Sequence, residues 1–181
     1  MSSDARFDKI IGFTLEHEVV KNSRGEVIAE HDPADPGGTT KFGIDKASHP
    51  RVDVENLTEE DAKKIYFDEN WVGTGASSLP LGFGEIVFDM SVLDGTGRAI
   101  RVLQKAVGVD VDGGLGKQTR DGVDAVNSDD TKRRTALDRM IDLREQRYHD
   151  LVDSNPKLGR FLKGWLNRSE DLRKFLDIAH V

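Results

Sequence analysis

The sequence predicts a mostly helical α+β protein, and three observations support this. Of the 181 residues, 36% are hydrophobic and 33% are charged, which is typical of a polar globular protein of one domain or two small lobes. Apolar side chains recur at helical spacing in several long segments. A hairpin pattern, with paired valine and isoleucine residues flanking a turn sequence, occupies only residues 19–28, so we expect a small β element.

The first helix is predicted over residues 5–20, with Ser3 or Asp4 as its N-cap. One face of this helix is apolar over two turns, at Phe7, Ile10, Ile11, Thr14 and Leu15. The predicted hairpin follows. Its turn is Asn22-Ser23-Arg24-Gly25.

The next segment is the most constrained part of the chain. It reads Asp32-Pro33-Ala34-Asp35-Pro36-Gly37-Gly38-Thr39-Thr40-Lys41-Phe42-Gly43-Ile44. Two Asp-Pro steps and a glycine pair restrict the backbone more than an ordinary connection requires. This density indicates a loop that holds a carboxylate and a hydroxyl beside a substrate. A short helix after this loop must end by His49, because Pro50 follows it.

The remaining elements are helical. Thr58 and Asp61 are spaced as a capping box, and Leu57 with Ala62 as its hydrophobic staple, for a helix that continues to about residue 71. A Gly- and Ser-rich loop follows at residues 73–84. Further helices are predicted at residues 85–93, 97–107, 118–126, 130–153 and 156–179. Residues 94–97 suggest a boundary between a region 1–96 and a helical region 97–181, packed as one compact bilobal unit.

Composition excludes several classes of function. The net charge of -7 argues against a nucleic-acid partner. The chain has no cysteine, which excludes disulfides, a thiol nucleophile and thiolate metal sites. The five histidines lack ligand spacing, so we expect no catalytic metal and no cofactor. The N-terminus does not resemble a signal peptide, and the chain lacks the ~20-residue apolar run of a stable membrane insertion.

Glu18 is the first candidate catalytic residue. At ~100° per residue it lies about 20° from Phe7 around the helix axis, whereas Glu16 lies about 180° away and faces water. Burial raises the pKa of a carboxyl group, and a raised pKa suits a general acid near neutral pH. The alternative is that Glu18 lies at a frayed helix end and points into solvent.

Asp35 and Asp32 are the candidates for a second carboxylate, and Thr40 for a hydroxyl that orients water. Glycoside hydrolysis uses one carboxylic acid to protonate the leaving oxygen and a second carboxylate to assist. The alternative for each aspartate is a structural one, because Asp before Pro is a common turn former.

Together these segments resemble glycoside hydrolase family 108, the lysozyme-like N-acetylmuramidases of phage endolysins and of bacterial secretion or wall-remodelling loci. The resemblance rests on residues 13–18 and the Asp-Pro-Gly-Gly loop, and it continues through residues 56–66, 87–90, 97–100 and 161–168. It implies a lysozyme-like fold with a small β-hairpin beside an active-site cleft. It also implies hydrolysis of the β-1,4 bond between N-acetylmuramic acid and N-acetylglucosamine in bacterial peptidoglycan.

By position in this resemblance, Glu18 is the general acid, while Asp35 and Thr40 correspond by order to assisting residues. Trp71 and Tyr66 are candidates for substrate binding, because sugar rings stack on aromatic side chains near helix ends. Core packing is the alternative for both.

The segment at residues 109–119 allows two interpretations. The segment does not match the calcium-binding loop of an EF-hand, because Leu115 occupies the glycine position of that loop and Asp121 occupies its glutamate position. The segment is similar to the Asp-Gly-x-x-Gly-x-x-Thr turn of the peptidoglycan-binding region that follows family 108 catalytic regions. A purely structural turn is the alternative.

The resemblance also suggests a context. We expect a monomeric phage endolysin, made in the bacterial cytoplasm without a signal peptide, which a holin releases to act in the periplasm or cell wall. The alternatives are a lytic transglycosylase, a non-catalytic wall-binding protein and a muramidase that assists protein export.

Overall fold

A computed structural model describes residues 4–19, 22–23, 27–31 and 38–178. Within these residues the chain forms seven α-helices and one three-stranded antiparallel sheet. The predicted mostly helical α+β class is confirmed. The chain divides into two compact units, Met1–Glu69 (unit 1) and Asn70–Val181 (unit 2).

Unit 1 begins with helix α1, Ala5–Glu18, which Asp4 caps by accepting hydrogen bonds from the backbone N–H groups of Arg6 and Phe7 at 3.0 and 3.2 Å. Three short strands follow, in the spatial order β1-β2-β3. They are β1, Glu30–His31; β2, Thr39–Lys41; and β3, Ile44–Asp45.

The sheet lies further along the chain than the predicted hairpin at residues 19–28. Residues 20, 21 and 24–26 of that prediction lie outside the described residues. The observed tight turn is Phe42-Gly43, where both residues have positive φ, 54° and 77°. Such a two-residue turn matches the twist of the flanking strands, so the hairpin forms here. The predicted short helix after Ile44 is instead a turn, closed by a hydrogen bond from Ser48 N–H to the Asp45 carboxylate at 2.8 Å.

Helix α2, Glu59–Tyr66, completes unit 1 and confirms the predicted capping box. The Thr58 hydroxyl accepts a hydrogen bond from Asp61 N–H at 3.2 Å, and the Asp61 carboxylate accepts one from Thr58 N–H at 3.4 Å. The helix continues as a π-helical turn, Phe67–Val72. The Phe67 ring packs edge-to-face on Phe7 of α1 at 5.0 Å.

Unit 2 is a bundle of five helices among the described residues. They are α3, Phe83–Asp94; α4, Thr96–Val107; α5, Lys117–Asn127; α6, Asp130–Ser154; and α7, Gly159–Phe175. All five predicted helices are present, and α7 ends earlier than predicted. Helix α3 is buried along residues 83–91 and packs on α4 and α6, while α6 also packs on α7. The core of unit 2 therefore centres on α3.

Candidate active site

Glu18 is the last residue of α1, and its side chain is half-buried. The buried stripe of the helix ends at Leu15, one turn earlier. The prediction that Glu18 lies centrally on a buried face is therefore wrong, because the helix ends before core packing can cover it. A half-exposed carboxyl group can touch a bound substrate, which a fully buried one cannot.

The turn between β2 and β3 lies against the Glu18 side chain. A Cβ atom built on Gly43 would lie 3.1 Å from Glu18 Oε2 and 3.3 Å from Glu18 Cβ. The same Cβ would lie 2.5 Å from the Tyr66 hydroxyl oxygen, closer than real Cβ contacts allow. Glycine at position 43 thus permits both the positive φ and the close approach of the turn to Glu18.

Tyr66 holds this turn in place. Its hydroxyl donates a hydrogen bond to the carbonyl oxygen of Phe42 at 2.8 Å, and its side chain is 3% exposed. Phe42 needs such support, because a positive φ is unfavourable for a residue with a bulky side chain. The structure gives Tyr66 a positioning role behind the turn, since its ring presents no face on which a sugar could stack.

Thr40 lies at the centre of the sheet, opposite Glu30 in β1 and Asp45 in β3. Cross-strand neighbours share a face of a sheet, so Thr40 lies between two carboxylates. Burial raises the pKa of Asp45, but hydrogen bonds from Ser48 and the nearby His49 outweigh it and lower the pKa overall. The Asp45 carboxylate is therefore engaged in hydrogen bonds within its own turn, whereas the Glu30 side chain is exposed.

Sequence reasoning missed Glu30 and the role of Gly43. The available signal for this hairpin was the Phe42-Gly43 step, which lies between Thr39-Thr40-Lys41 and Ile44. The hairpin determines which carboxylate lies opposite Thr40. Asp35 and Asp32, the predicted second carboxylates, lie outside the described residues. The structure therefore brings together Glu18, Gly43 and Tyr66.

Trp71 belongs to unit 2 and is fully buried. Its indole packs edge-to-face on Phe88 of α3, with the ring centres 5.8 Å apart. The structure therefore corrects the prediction that Trp71 binds substrate. A ring without exposed surface can contribute to the core but cannot contact a sugar.

The models of two protein families match consecutive parts of the chain. Residues 17–95 match the family described as glycosyl hydrolase 108, and residues 98–170 match the family described as a predicted peptidoglycan domain. The chain thus resembles glycosyl hydrolase 108 proteins over its first region and the predicted peptidoglycan domain over its second. The first match supports glycoside hydrolase activity, and the second supports peptidoglycan as the substrate.

A solved structure, titled as that of Brucella abortus SagA, is similar over almost the whole chain. The two share 25% sequence identity and a TM-score of 0.74, over 99% of this chain and 98% of the other. The lysozyme-like fold class agrees with this likeness. A comparison with curated proteins finds no significant match.

The glycosyl hydrolase 108 region and unit 1 have different limits. The family match extends through α3, whereas packing assigns α3 to unit 2. The contacts of Asp89 in α3 explain why these two limits differ. Its carboxylate accepts hydrogen bonds from Arg144 of α6 and Arg168 of α7, each at 2.7 Å, so α3 is tied to the helices of the second domain.

Asp89 is a structural residue. Burial raises the pKa of its carboxyl group, but the guanidinium groups of Arg168 and Arg144 outweigh burial and hold the pKa well below its usual range. A carboxylate held in this way carries no proton for a leaving group at neutral pH. Arg144 also donates a hydrogen bond to the Tyr148 hydroxyl at 2.6 Å, which extends the network along α6.

The turn at residues 109–119 of the predicted peptidoglycan domain is held by hydrogen bonds to a buried side chain of α4, although Asp112 itself is exposed. The side-chain amide nitrogen of buried Gln104 donates to the Asp112 carboxylate at 2.6 Å, to Gly114 O at 3.0 Å and to the Thr119 hydroxyl at 2.9 Å. Hydrogen bonds from Gly114 N–H and Gln104 lower the pKa of Asp112. This geometry supports the structural interpretation of the turn.

The described residues contain no cluster of three or more His, Cys, Asp or Glu side chains that could hold a metal ion. Each helix in the described part of the chain is too short or too polar to cross a membrane.

Proposed function

We propose that the protein is an N-acetylmuramidase that hydrolyses the β-1,4 bond between N-acetylmuramic acid and N-acetylglucosamine in peptidoglycan, with Glu18 as general acid. The observation that carries this proposal is the contact between Glu18 and the β2–β3 turn. A half-exposed carboxyl group held beside a rigid turn can meet a glycosidic oxygen that enters from solvent.

The reaction follows from the roles of the residues. The Glu18 carboxyl group gives its proton to the bridging oxygen as the bond from that oxygen to C1 of N-acetylmuramic acid breaks. The positive charge that develops at C1 is stabilised by a second carboxylate, and a water molecule supplies the new hydroxyl group at C1. The water's remaining proton restores an acid in the site.

Asp35 is our proposal for the second carboxylate, Asp32 is its alternative, and Glu30 is a third candidate. The support for Glu30 is its register opposite Thr40 in the sheet. Thr40 would orient the water molecule through its hydroxyl group. The separation of the two carboxyl groups determines the stereochemistry, with about 5 Å for retention and about 6.5–9.5 Å for inversion.

The test is digestion of purified peptidoglycan sacculi by the wild type and by Glu18→Gln, Asp35→Asn, Glu30→Gln and Thr40→Ala. We expect solubilisation by the wild type and its loss in Glu18→Gln. Loss in only one of Asp35→Asn and Glu30→Gln identifies the second carboxylate. Full activity of Glu18→Gln would exclude the proposed mechanism.

Mass analysis of the released muropeptides tests the type of reaction. Hydrolysis adds water and leaves reducing N-acetylmuramic acid ends, whereas a lytic transglycosylase leaves 1,6-anhydro ends. We expect reducing ends. Anhydro ends would overturn hydrolysis while leaving Glu18 as the acid.

We also propose that the protein acts in the periplasm or cell wall, where its substrate is, as a monomeric phage endolysin released through a holin. The pairing of a glycosyl hydrolase 108 region with a predicted peptidoglycan domain supports action at the cell wall. The holin route rests on the resemblance of the sequence to phage endolysins. Expression in a bacterium with and without a co-expressed holin tests this. Lysis that requires the holin is expected, and lysis that is independent of it would contradict this route.

A further inference from the structure

The first half of α7 is exposed in a way that the rest of the helix is not. Every residue at positions 159–167 is exposed or half-buried, whereas Arg168, Ser169, Leu172 and Arg173 further along are buried. We call Arg160, Phe161 and Trp165 the aromatic–basic patch. The apolar face of α7 therefore continues into the less buried first half of the helix.

Phe161 and Trp165 form a supported aromatic platform. Phe161 is 42% exposed, and its ring stacks on Trp165 with the centres 5.8 Å apart. Trp165 rests in turn on Tyr148 of α6, at 5.2 Å. Exposed aromatic surface on a rigid support is unfavourable in water and is typical of a binding surface.

The segment of the chain that carries this platform is positively charged, although the whole chain has a net charge of -7. Residues 155–169 contain two lysines and two arginines and lack acidic residues. Of these four, Arg168 is buried and paired with Asp89, while Lys157, Arg160 and Lys163 are exposed. The Arg160 guanidinium lies over the Phe161 ring at 4.5 Å, a cation–π contact that holds a charge at the edge of the platform.

We propose that the aromatic–basic patch binds the peptidoglycan strand. Sugar rings offer C–H faces that pack on Phe161 and Trp165, and the stem peptides offer carboxylates that pair with Arg160. The substrate class rests on the proposed function, and the inference adds a surface in unit 2 to a reaction assigned to Glu18 in unit 1. The patch lies within residues 98–170, the part that matches the predicted peptidoglycan domain, and this favours the glycan over an anionic membrane.

The test measures binding to insoluble sacculi by co-sedimentation. All proteins carry Glu18→Gln, so that the sacculi are not digested during the measurement. Phe161→Ala is compared with Phe175→Ala, because Phe175 is on the same helix and is 41% exposed. We expect Phe161→Ala to weaken binding by about fivefold to tenfold and Phe175→Ala to change it by less than about twofold.

A second set of variants tests the contribution of charge to binding. Arg160→Gln is expected to weaken binding at low salt and to reduce its dependence on salt concentration. Lys174→Gln, on the same helix beside Glu170, is the matched control and is expected to leave both unchanged. Circular dichroism and thermal melting verify folding, and Phe161→Leu, which keeps apolar volume without an aromatic ring, serves if Phe161→Ala is unstable.

Equal binding by Phe161→Ala and Phe175→Ala would overturn the inference. So would binding to vesicles of phosphatidylglycerol and phosphatidylethanolamine that exceeds binding to sacculi and is weakened by Phe161→Ala, since the partner would then be a membrane. Failure of the proposed function can be told apart from failure of this inference. If the proposed function is wrong, the wild type does not hydrolyse sacculi, whereas the difference in binding between Phe161→Ala and Phe175→Ala still tests the role of the patch.

Discussion

Glu18 in unit 1 and Asp89 in unit 2 are carboxylates in opposite surroundings. Asp89 is fully buried between two guanidinium groups that keep it ionised, whereas Glu18 is half-buried at a helix end beside a tight turn. The first arrangement ties three helices together, and the second leaves a carboxyl group within reach of a substrate. The surroundings of a carboxylate, rather than its burial alone, thus separate a structural role from a chemical one.

The largest expected effect is on activity in unit 1. Glu18→Gln is expected to lower the rate of sacculus hydrolysis by about 10²- to 10⁴-fold, because it removes the proton that the leaving oxygen requires. The rate is measured by release of soluble muropeptides. Glu16→Gln, an exposed neighbour on the same helix, is the control and should retain activity.

The corresponding change in unit 2 is expected to affect stability. Asp89→Asn leaves Arg144 and Arg168 buried without a compensating negative charge, which costs about 3–5 kcal/mol of unfolding free energy. Denaturant unfolding measures this loss. Asp130→Asn, which alters exposed ion pairs with Arg133 and Arg134, should change stability little. Comparable losses in the two variants would contradict the role of Asp89.

The pH dependence of stability is a further test of the structural role of Asp89. Because folding depresses the pKa of Asp89, its contribution is complete above the unfolded pKa of about 4 and is lost as the pH falls toward the folded value. The difference in unfolding free energy between the wild type and Asp89→Asn should therefore shrink below about pH 4. Unfolding titrations at several acidic pH values measure it, and a constant difference would exclude this linkage.

Gly43→Ala tests the turn beside Glu18. The new Cβ adds a clash with the Tyr66 hydroxyl to the cost of a positive φ, about 1–2 kcal/mol for the backbone alone. Gly108→Ala is the matched control, because Gly108 also has a φ of 77° but has open space around it. We expect Gly43→Ala to lose more stability in thermal melts and also to lose hydrolysis. Equal losses would show that the clash is relieved without strain.

Tyr66→Phe should have the smallest effect. It removes the hydrogen bond to Phe42 O and leaves a buried acceptor, at a cost of about 1–2 kcal/mol. Since the turn then shifts against Glu18, kcat for sacculus hydrolysis should fall as well. Tyr148→Phe removes a buried phenol hydroxyl from unit 2 and should lower stability without the same fall in kcat. A normal kcat in Tyr66→Phe would remove its positioning role.

Much of the fold was predictable, and the reason is local. The cap by Asp4, the capping box at Thr58 and the apolar periodicity of the helices depend on residues within a few positions of one another. The hairpin at Phe42-Gly43 was not predicted, because its position depends on pairing among β1, β2 and β3 and on positive φ at Phe42, which local propensity opposes.

The candidate site was predictable only in part. The choice of Glu18 rests on helical spacing and on the resemblance to family 108, and it stays a prediction for experiment. The burial of Tyr66 and Trp71 and the pairing of Glu30 with Thr40 could not be obtained from spacing, because each depends on contacts between segments distant in the chain.

By itself, the sequence determined the helices, the helical class and the family resemblance, since caps, periodicity and motifs are encoded by neighbouring residues. Only the tertiary structure decided that Glu18 lies half-buried beside Gly43 while Asp89 is enclosed by Arg144 and Arg168. The physical reason is that the surroundings of a carboxylate are set by whichever distant side chains pack around it, and these are known only once the chain has folded.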